Sequence, residues 1–250
     1  MTATSDHLLD AVAQHPLLEE LDEQALRQVI QRSSEIHLAA NDLLYTSGEE
    51  AVQVFVILSG ALQIEYPTGG ETRGRVVAVM PAPSFLGEAQ VVNDGTWSGT
   101  GVAIAELSAL GIRKDQFATL VKSYPGLTRR LYLELTHRFY AAIESWRHLP
   151  TSKPAASIAR YLLARRQILS RMQAAQSNAV PIHQGELGRA TGIRRETVNR
   201  TLAKWAEEGW VQRQPTTIDI LKPEALEQVT EDTSQVPLLQ PMVLPLVDGE

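Results

Sequence analysis

Residues Glu186-Leu187-Gly188-Arg189-Ala190-Thr191-Gly192-Ile193-Arg194-Arg195-Glu196-Thr197-Val198-Asn199-Arg200-Thr201-Leu202-Ala203-Lys204-Trp205 hold two short amphipathic runs on either side of Gly192-Ile193. Leu187 and Ala190 are the apolar positions of the first run; Val198, Leu202 and Trp205 are those of the second. Steps of three and four residues put the second set on one face of a helix. Gly192 stands where two helices meet at a turn that needs a residue able to take positive φ. The polar face carries Arg195, Glu196, Asn199 and Arg200. These side chains suit the base edges of a major groove: arginine for guanine, asparagine for adenine, a carboxylate for the cytosine amino group. Arg194, Thr197 and Lys204 flank them as further candidate contacts. A merely solvated helix hairpin shows charges of this kind too, so the pattern alone is a weak signal.

The residues that follow strengthen it. Gly209 falls where a helix closes with a left-handed residue. Trp210 to Arg213 and Thr217 to Ile220 alternate as two strands around Gln214-Pro215-Thr216. Helix, turn, helix and a small β-wing make a winged module, which predicts binding to double-stranded DNA. The charge is distributed accordingly. The chain as a whole is −6, yet residues 151–222 carry twelve Lys and Arg against five Asp and Glu. Residues 1–150 carry eleven against eighteen, and residues 223–250 none against six. Positive charge is thus gathered around the candidate reading helix, where a phosphate backbone requires it.

Upstream, the pattern changes twice. Residues 6–32 read as helical with a break at Pro16. From about residue 36 short β-rich runs recur at Leu43 to Tyr45, Val52 to Leu58, Ala61 to Tyr66 and Arg75 to Met80. Ten of the sixteen glycines lie between Gly48 and Gly111, so turns are dense and a small roll or barrel is expected. Residues 126–149 then read as one long helix. Leu131, Leu135, Phe139, Ala142 and Trp146 form one stripe on it, and Tyr132, Tyr140 and Ile143 a second. Two stripes predict burial on two sides, one on the roll and one on the same helix of a second copy, with burial inside a single subunit as the alternative. A homodimer also suits palindromic half-sites. The expected organisation is α+β. A β-roll sensor domain with N-terminal helices covers 1–125, a dimerisation helix 126–149, and a hinge 150–154. A winged helix-turn-helix domain covers 155–226 and an acidic, proline-spaced tail 227–250. That tail reads either as disordered or as an extended strip on an apolar groove.

Composition excludes several classes. The absence of cysteine removes disulfides, thiolate zinc sites and cysteine-held iron–sulfur clusters. The first ten residues lack a basic segment and an apolar segment, so they do not read as a signal peptide. Val54 to Leu58 is far short of the roughly 20 residues a membrane span needs. A cytoplasmic protein with no membrane partner is expected. The six histidines do not cluster, and Gly95-Thr96-Trp97-Ser98-Gly99 has its serine one place off a nucleophile elbow. Neither a metal site nor a catalytic site is expected.

The order of these parts resembles the cyclic-AMP receptor protein and fumarate–nitrate regulator (Crp/Fnr) superfamily of bacterial transcription factors, over about residues 15–226. Gly192 to Arg200, Val54 to Gly60 and Phe85-Leu86-Gly87-Glu88 carry the likeness. The resemblance implies a cyclic-nucleotide-binding-like roll and a base-reading triplet of Arg195, Glu196 and Arg200, with half-sites similar to TGTGA. It makes RNA polymerase a candidate partner. Many members have Ser or Thr where Arg194 stands, so a helix cap is expected to be missing here. In members that bind cyclic nucleotides, the cassette glutamate meets the ribose hydroxyl and a later arginine meets the phosphate. Gly87 and Glu88 are present, but Trp97 stands in the arginine's place, followed by Ser98. Ala142 and Ile143 stand where the adenine-contacting hydroxyls belong. Gly87 and Glu88 have a purely architectural reading beside the ligand one, as a turn glycine and a locally bonded carboxylate. Arg73 or Arg75 could rescue an anion site from a neighbouring strand. The expectation is therefore a DNA-binding regulator not switched by cyclic AMP, with no bound cofactor and an unassigned effector. The alternatives are a cyclic-nucleotide-responsive activator, and an interaction scaffold using the roll and the acidic tail.

Overall fold

The computed structural model describes residues 3–67, 74–147, 153–172, 178–182 and 184–231. Two helices open the chain, α1 (Ala3–Ala13) and α2 (Glu23–Gln31). Asp22 starts the second by accepting the N–H of Ala25 at 2.8 Å. Strands β1 (Ser34–Leu38), β2 (Leu43–Tyr45), β3 (Gln53–Ser59), β4 (Ala61–Tyr66), β5 (Arg75–Pro81) and β6 (Ser84–Leu86) follow. After α3 (Glu88–Val92) come β7 (Thr100–Ala103) and β8 (Leu107–Arg113), then α4 (Lys114–Ser123) and the long α5 (Pro125–Arg147). The expected β-roll is present as two antiparallel four-stranded sheets, ordered β1-β8-β3-β6 and β2-β7-β4-β5. Val54, Phe55, Val56 and Ile57 are buried in succession because β3 lies between β8 and β6 and is covered on both faces. Val54, Ile57, Leu62, Leu110, Ile112, Phe117 and Leu127 centre this core.

The described parts of residues 1–64 and 80–140 form one compact unit, and those of residues 65–79 with 141–243 form another. The second contains α6 (Pro154–Met172), β9 (Ala179–Pro181), α7 (Gln184–Thr191), α8 (Arg195–Glu207), β10 (Val211–Arg213), β11 (Thr217–Ile220) and α9 (Pro223–Glu231). Pro154 opens α6, a position where its missing N–H costs nothing. Ile158, Leu162, Ile182, Leu187, Val198, Leu202, Ile220 and Leu226 are all buried in this module.

Three features depart from expectation. Composition predicts a polar connection from 173 to 181, yet its end is a strand. β9 pairs antiparallel with β11, Val180 facing Ile218, and makes the wing a three-stranded sheet ordered β10-β11-β9. The helix of the expected tail is the second: α9 runs to Glu231 rather than yielding at 227, because Leu226 anchors it in the core. The third is a pair of helices, α3 and α4, that the density of glycines and short runs concealed. Of the hinge, residues 150–152 lie outside the described residues, as does the tail from 232 onward.

Candidate nucleic-acid interface and roll cassette

The reading helix is built as its periodicity dictates. Val198, Leu202 and Trp205 are buried, while Arg195, Glu196, Arg200 and Lys204 are exposed. Gly192 turns the chain at φ 69°, and the N–H of Ile193 bonds the carbonyl of Gly188 at 3.1 Å to tie the turn to α7. Arg194 is the N-cap of α8 and makes no side-chain cap bond. Its carbonyl accepts from Thr197 and Val198 at 2.9 and 3.1 Å, and its guanidinium is left exposed at the helix start. Thr197 is half-buried. Asn199 is half-buried, and its amide oxygen is buried with no hydrogen-bond partner among the described residues. The reason is its place on the helix, one step from Val198 and three from Leu202, at the edge of the buried face.

The same module holds a cluster that the sequence reading missed. Arg165 of α6 donates to Tyr161 Oη at 2.9 Å, to Glu186 Oε1 at 2.8 Å and to the Pro181 carbonyl at 2.8 Å. One guanidinium thereby joins α6, the start of α7 and the end of β9. Arg165 and Glu186 are about 5% and 9% exposed at their side chains, so this is an interior ion pair rather than a solvated one. Burial pushes the Tyr161 phenol above its ordinary pKa, against the opposing pull of Arg165. On the wing, Gln214 donates to Asp219 at 2.8 Å across the β10–β11 turn. Trp205 and Trp210 lie with ring centroids 6.3 Å apart beneath it.

In the roll, Gly87 takes φ 100° and precedes α3. A Cβ there would stand 2.7 Å from Trp97 Cη2 and 2.8 Å from the Gln53 carbonyl, so only glycine fits. Trp97 is buried and stacks on Tyr45 at 3.8 Å and on Phe55 at 5.6 Å. Ser98, beside it, is exposed. Glu88 is buried, and its Oε1 accepts from Arg138 Nη1 at 3.0 Å; its Oε2 has no partner among the described residues. Burial raises the Glu88 pKa, while the Arg138 charge works against that rise. Arg138 also donates to the Phe85 carbonyl at 2.7 Å and to Glu134 at 3.3 Å, and its guanidinium lies 4.5 Å above the Phe85 ring centroid. Arg138 is a second residue that sequence reading overlooked. Its signal was faint, a Glu134/Arg138 pair four residues apart between the two apolar stripes.

Arg75, expected at the cassette as a rescuing cation, is placed elsewhere. Its guanidinium lies beside Gly192 of the helix-turn-helix. Just before it, Gly74 is held close against the Tyr66 carbonyl. Arg73 lies outside the described residues. On α5, Leu131 is half-buried, and Tyr132, Leu135, Phe139 and Tyr140 are exposed. The side chains of Ala142 and Trp146 lie outside the described set. Among the described residues no helix is long and apolar enough to cross a membrane, and no group of three or more acidic or histidine side chains could hold a metal ion.

Comparison with known proteins agrees with this anatomy. Residues 156–229 match the family described as Crp-like helix-turn-helix domain, and residues 35–124 match the cyclic nucleotide-binding domain family. The chain is 21% identical over 209 residues to a CRP-like cAMP-activated global transcriptional regulator of Mycobacterium tuberculosis, covering 81% of this chain and 91% of the relative. It is 24% identical over 187 residues to the Cyclic AMP receptor protein of Thermus thermophilus, covering 74% and 83%. A solved CRP/FNR-family transcriptional regulator, also from Thermus thermophilus, superposes with a TM-score of 0.67 at 18% identity, covering 80% of this chain and 100% of that one.

Proposed function

Because the chain belongs to the Crp/Fnr superfamily and is a transcription regulator of that type, not an enzyme, we propose that it reads palindromic DNA as a homodimer and is not switched by cyclic AMP. Arg195, Glu196 and Arg200 are the base readers, with Arg194, Thr197, Asn199 and Lys204 as flanking contacts. Exposure of the two arginines and the glutamate on the outer face of α8 supports that assignment. The dimer seam is Leu131, Leu135, Phe139, Ala142 and Trp146. Support comes from the exposed apolar side chains of Leu135 and Phe139, which a lone helix would leave in water. The protein works in the cytoplasm, where its DNA is.

One observation carries the claim about the effector: the Trp97 ring, stacked on Tyr45, fills the space against Gly87. A cyclic phosphate entering the cassette must exchange its water for a charged, bonded partner. Trp97 supplies at most one neutral N–H, and Arg75 is beside Gly192. Losing one partner of a buried charged pair typically costs about 2–5 kcal/mol, which is roughly a thirtyfold to several-thousandfold loss of affinity. The cassette side chains already answer one another, Glu88 with Arg138 and Trp97 with Tyr45. Titration calorimetry with cyclic AMP, read beside a DNA-shift assay, tests the proposal. No heat and unchanged DNA affinity are expected. Micromolar binding coupled to tighter DNA binding would instead establish the cyclic-nucleotide-responsive activator that the named relatives favour.

A further inference from the structure

The described parts of residues 65–79 pack in the same compact unit as those of residues 141–243. A buried carboxylate ties Gly74 to the end of β4. Glu65 is 1% exposed, and its Oε2 accepts the backbone N–H of Gly74 at 3.2 Å. Its charge also acts on the buried Tyr161 phenol of α6. The next residue, Arg75, is exposed. Its guanidinium carbon and one terminal nitrogen each lie 3.6 Å from the position a Cβ on Gly192 would take. Among the described residues no carboxylate pairs with Arg75. Arg194 and Arg195 follow two and three residues after Gly192 and are likewise exposed. Arg75 therefore lies at the Gly192 turn, which comes two residues before two exposed arginines at the start of α8, with Glu196 as the acid next in sequence. Arginine is a common partner of the phosphates that line a groove.

We infer that Arg75 is a further DNA contact, taking a backbone phosphate beside the groove that α8 enters. The contact positions the reader and carries no sequence information, since a phosphate is the same at every step. This inference rests on the reading of the winged module as the DNA-binding part.

The test uses the full chain as wild type, Arg75→Gln and Arg75→Lys. Binding to a selected site and to a scrambled duplex is measured between about 50 and 200 mM salt, the range over which phosphate contacts register. Each phosphate neutralised contributes about 0.9 to the slope of log affinity against log salt. Arg75→Gln is expected to bind both duplexes more weakly and to flatten the slope by about that amount. The wild-type advantage would then shrink roughly three- to fourfold across the salt range. Arg75→Lys keeps the wild-type slope, and selected base preferences are unchanged in both variants. An unchanged slope in Arg75→Gln overturns the inference, and so does tighter binding, which would mean that Arg75 holds the turn away from DNA. Failure of the wild type to bind any duplex would instead overturn the reading of the module itself.

Discussion

Replacing Arg138 by Met tests how the cassette is held together. The side chain donates to Glu88, to the Phe85 carbonyl and to Glu134, and it is about 12% exposed against 8% for Glu88. Removing one partner of a buried pair costs about 3–5 kcal/mol, most of it the penalty of stranding the other charge. Glu88 has one escape, which is to take up a proton. Holding a carboxyl of ordinary pKa 4.5 protonated costs about 3 kcal/mol at pH 7 and about 1 kcal/mol at pH 5. The sign follows from the raised folded pKa. The penalty appears as pH rises above the unfolded value and fades as pH falls. Arg138→Met should therefore destabilise the roll by about 3–5 kcal/mol at pH 7, and by about 2 kcal/mol less at pH 5. Urea unfolding followed by hydrogen exchange at the β3 amides reports on this unit apart from the winged module. Glu88→Leu combined with Arg138→Met should recover much of the loss, because no charge is then left buried. A cost below about 1 kcal/mol at pH 7, or one equal at both pH values, would mean that Arg138 does not offset a buried charge on Glu88.

Arg200→Ala should weaken the specific site by about 1–3 kcal/mol and relax one base preference, as read by site selection; recovery of the wild-type motif at full strength would move the reading face. Leu135→Glu places unpaired charges at the proposed seam, and sedimentation should show monomers; an intact dimer would put the interface elsewhere. His15 is buried, accepts the Leu17 N–H and lies 3.1 Å from the Ser84 carbonyl, and desolvation lowers its pKa to about 4. Its neutral form is the folded one, so about 3 kcal/mol of stability, present above pH 6.5, should be lost as pH falls to about 4; His15→Gln should lose less over that window.

What the sequence disclosed was local. The α8 stripe of Val198, Leu202 and Trp205 and the turn at Gly192 are written in spacings of a few residues, and the structure follows them closely. Partners far apart in sequence could not be read. Arg138 meets Glu88 across fifty residues, and Arg165 meets Glu186 across twenty-one. In a sequence each looks like one more cation on a wet helix. β9 is three residues long, too short for alternation to register, and exists because β11 offers it an edge. Asn199 shows the resolution of a helical wheel: it separates in from out, but an edge position such as this can turn its oxygen either way. Arg75 fell between two assignments, since the order of strands does not say which unit the far end of a hairpin joins.

The close approach of Trp97 to Gly87 makes these two positions a single inherited unit. Neither can change size alone: a methyl at 87 collides with the indole, and a smaller residue at 97 opens a void beside the stack of Tyr45 and Phe55. Descendants of this chain should therefore exchange the pair together or keep it unaltered. Placing an arginine at 97 would empty the space that the indole fills against Tyr45 and Phe55, so that exchange calls for rebuilding both rings as well.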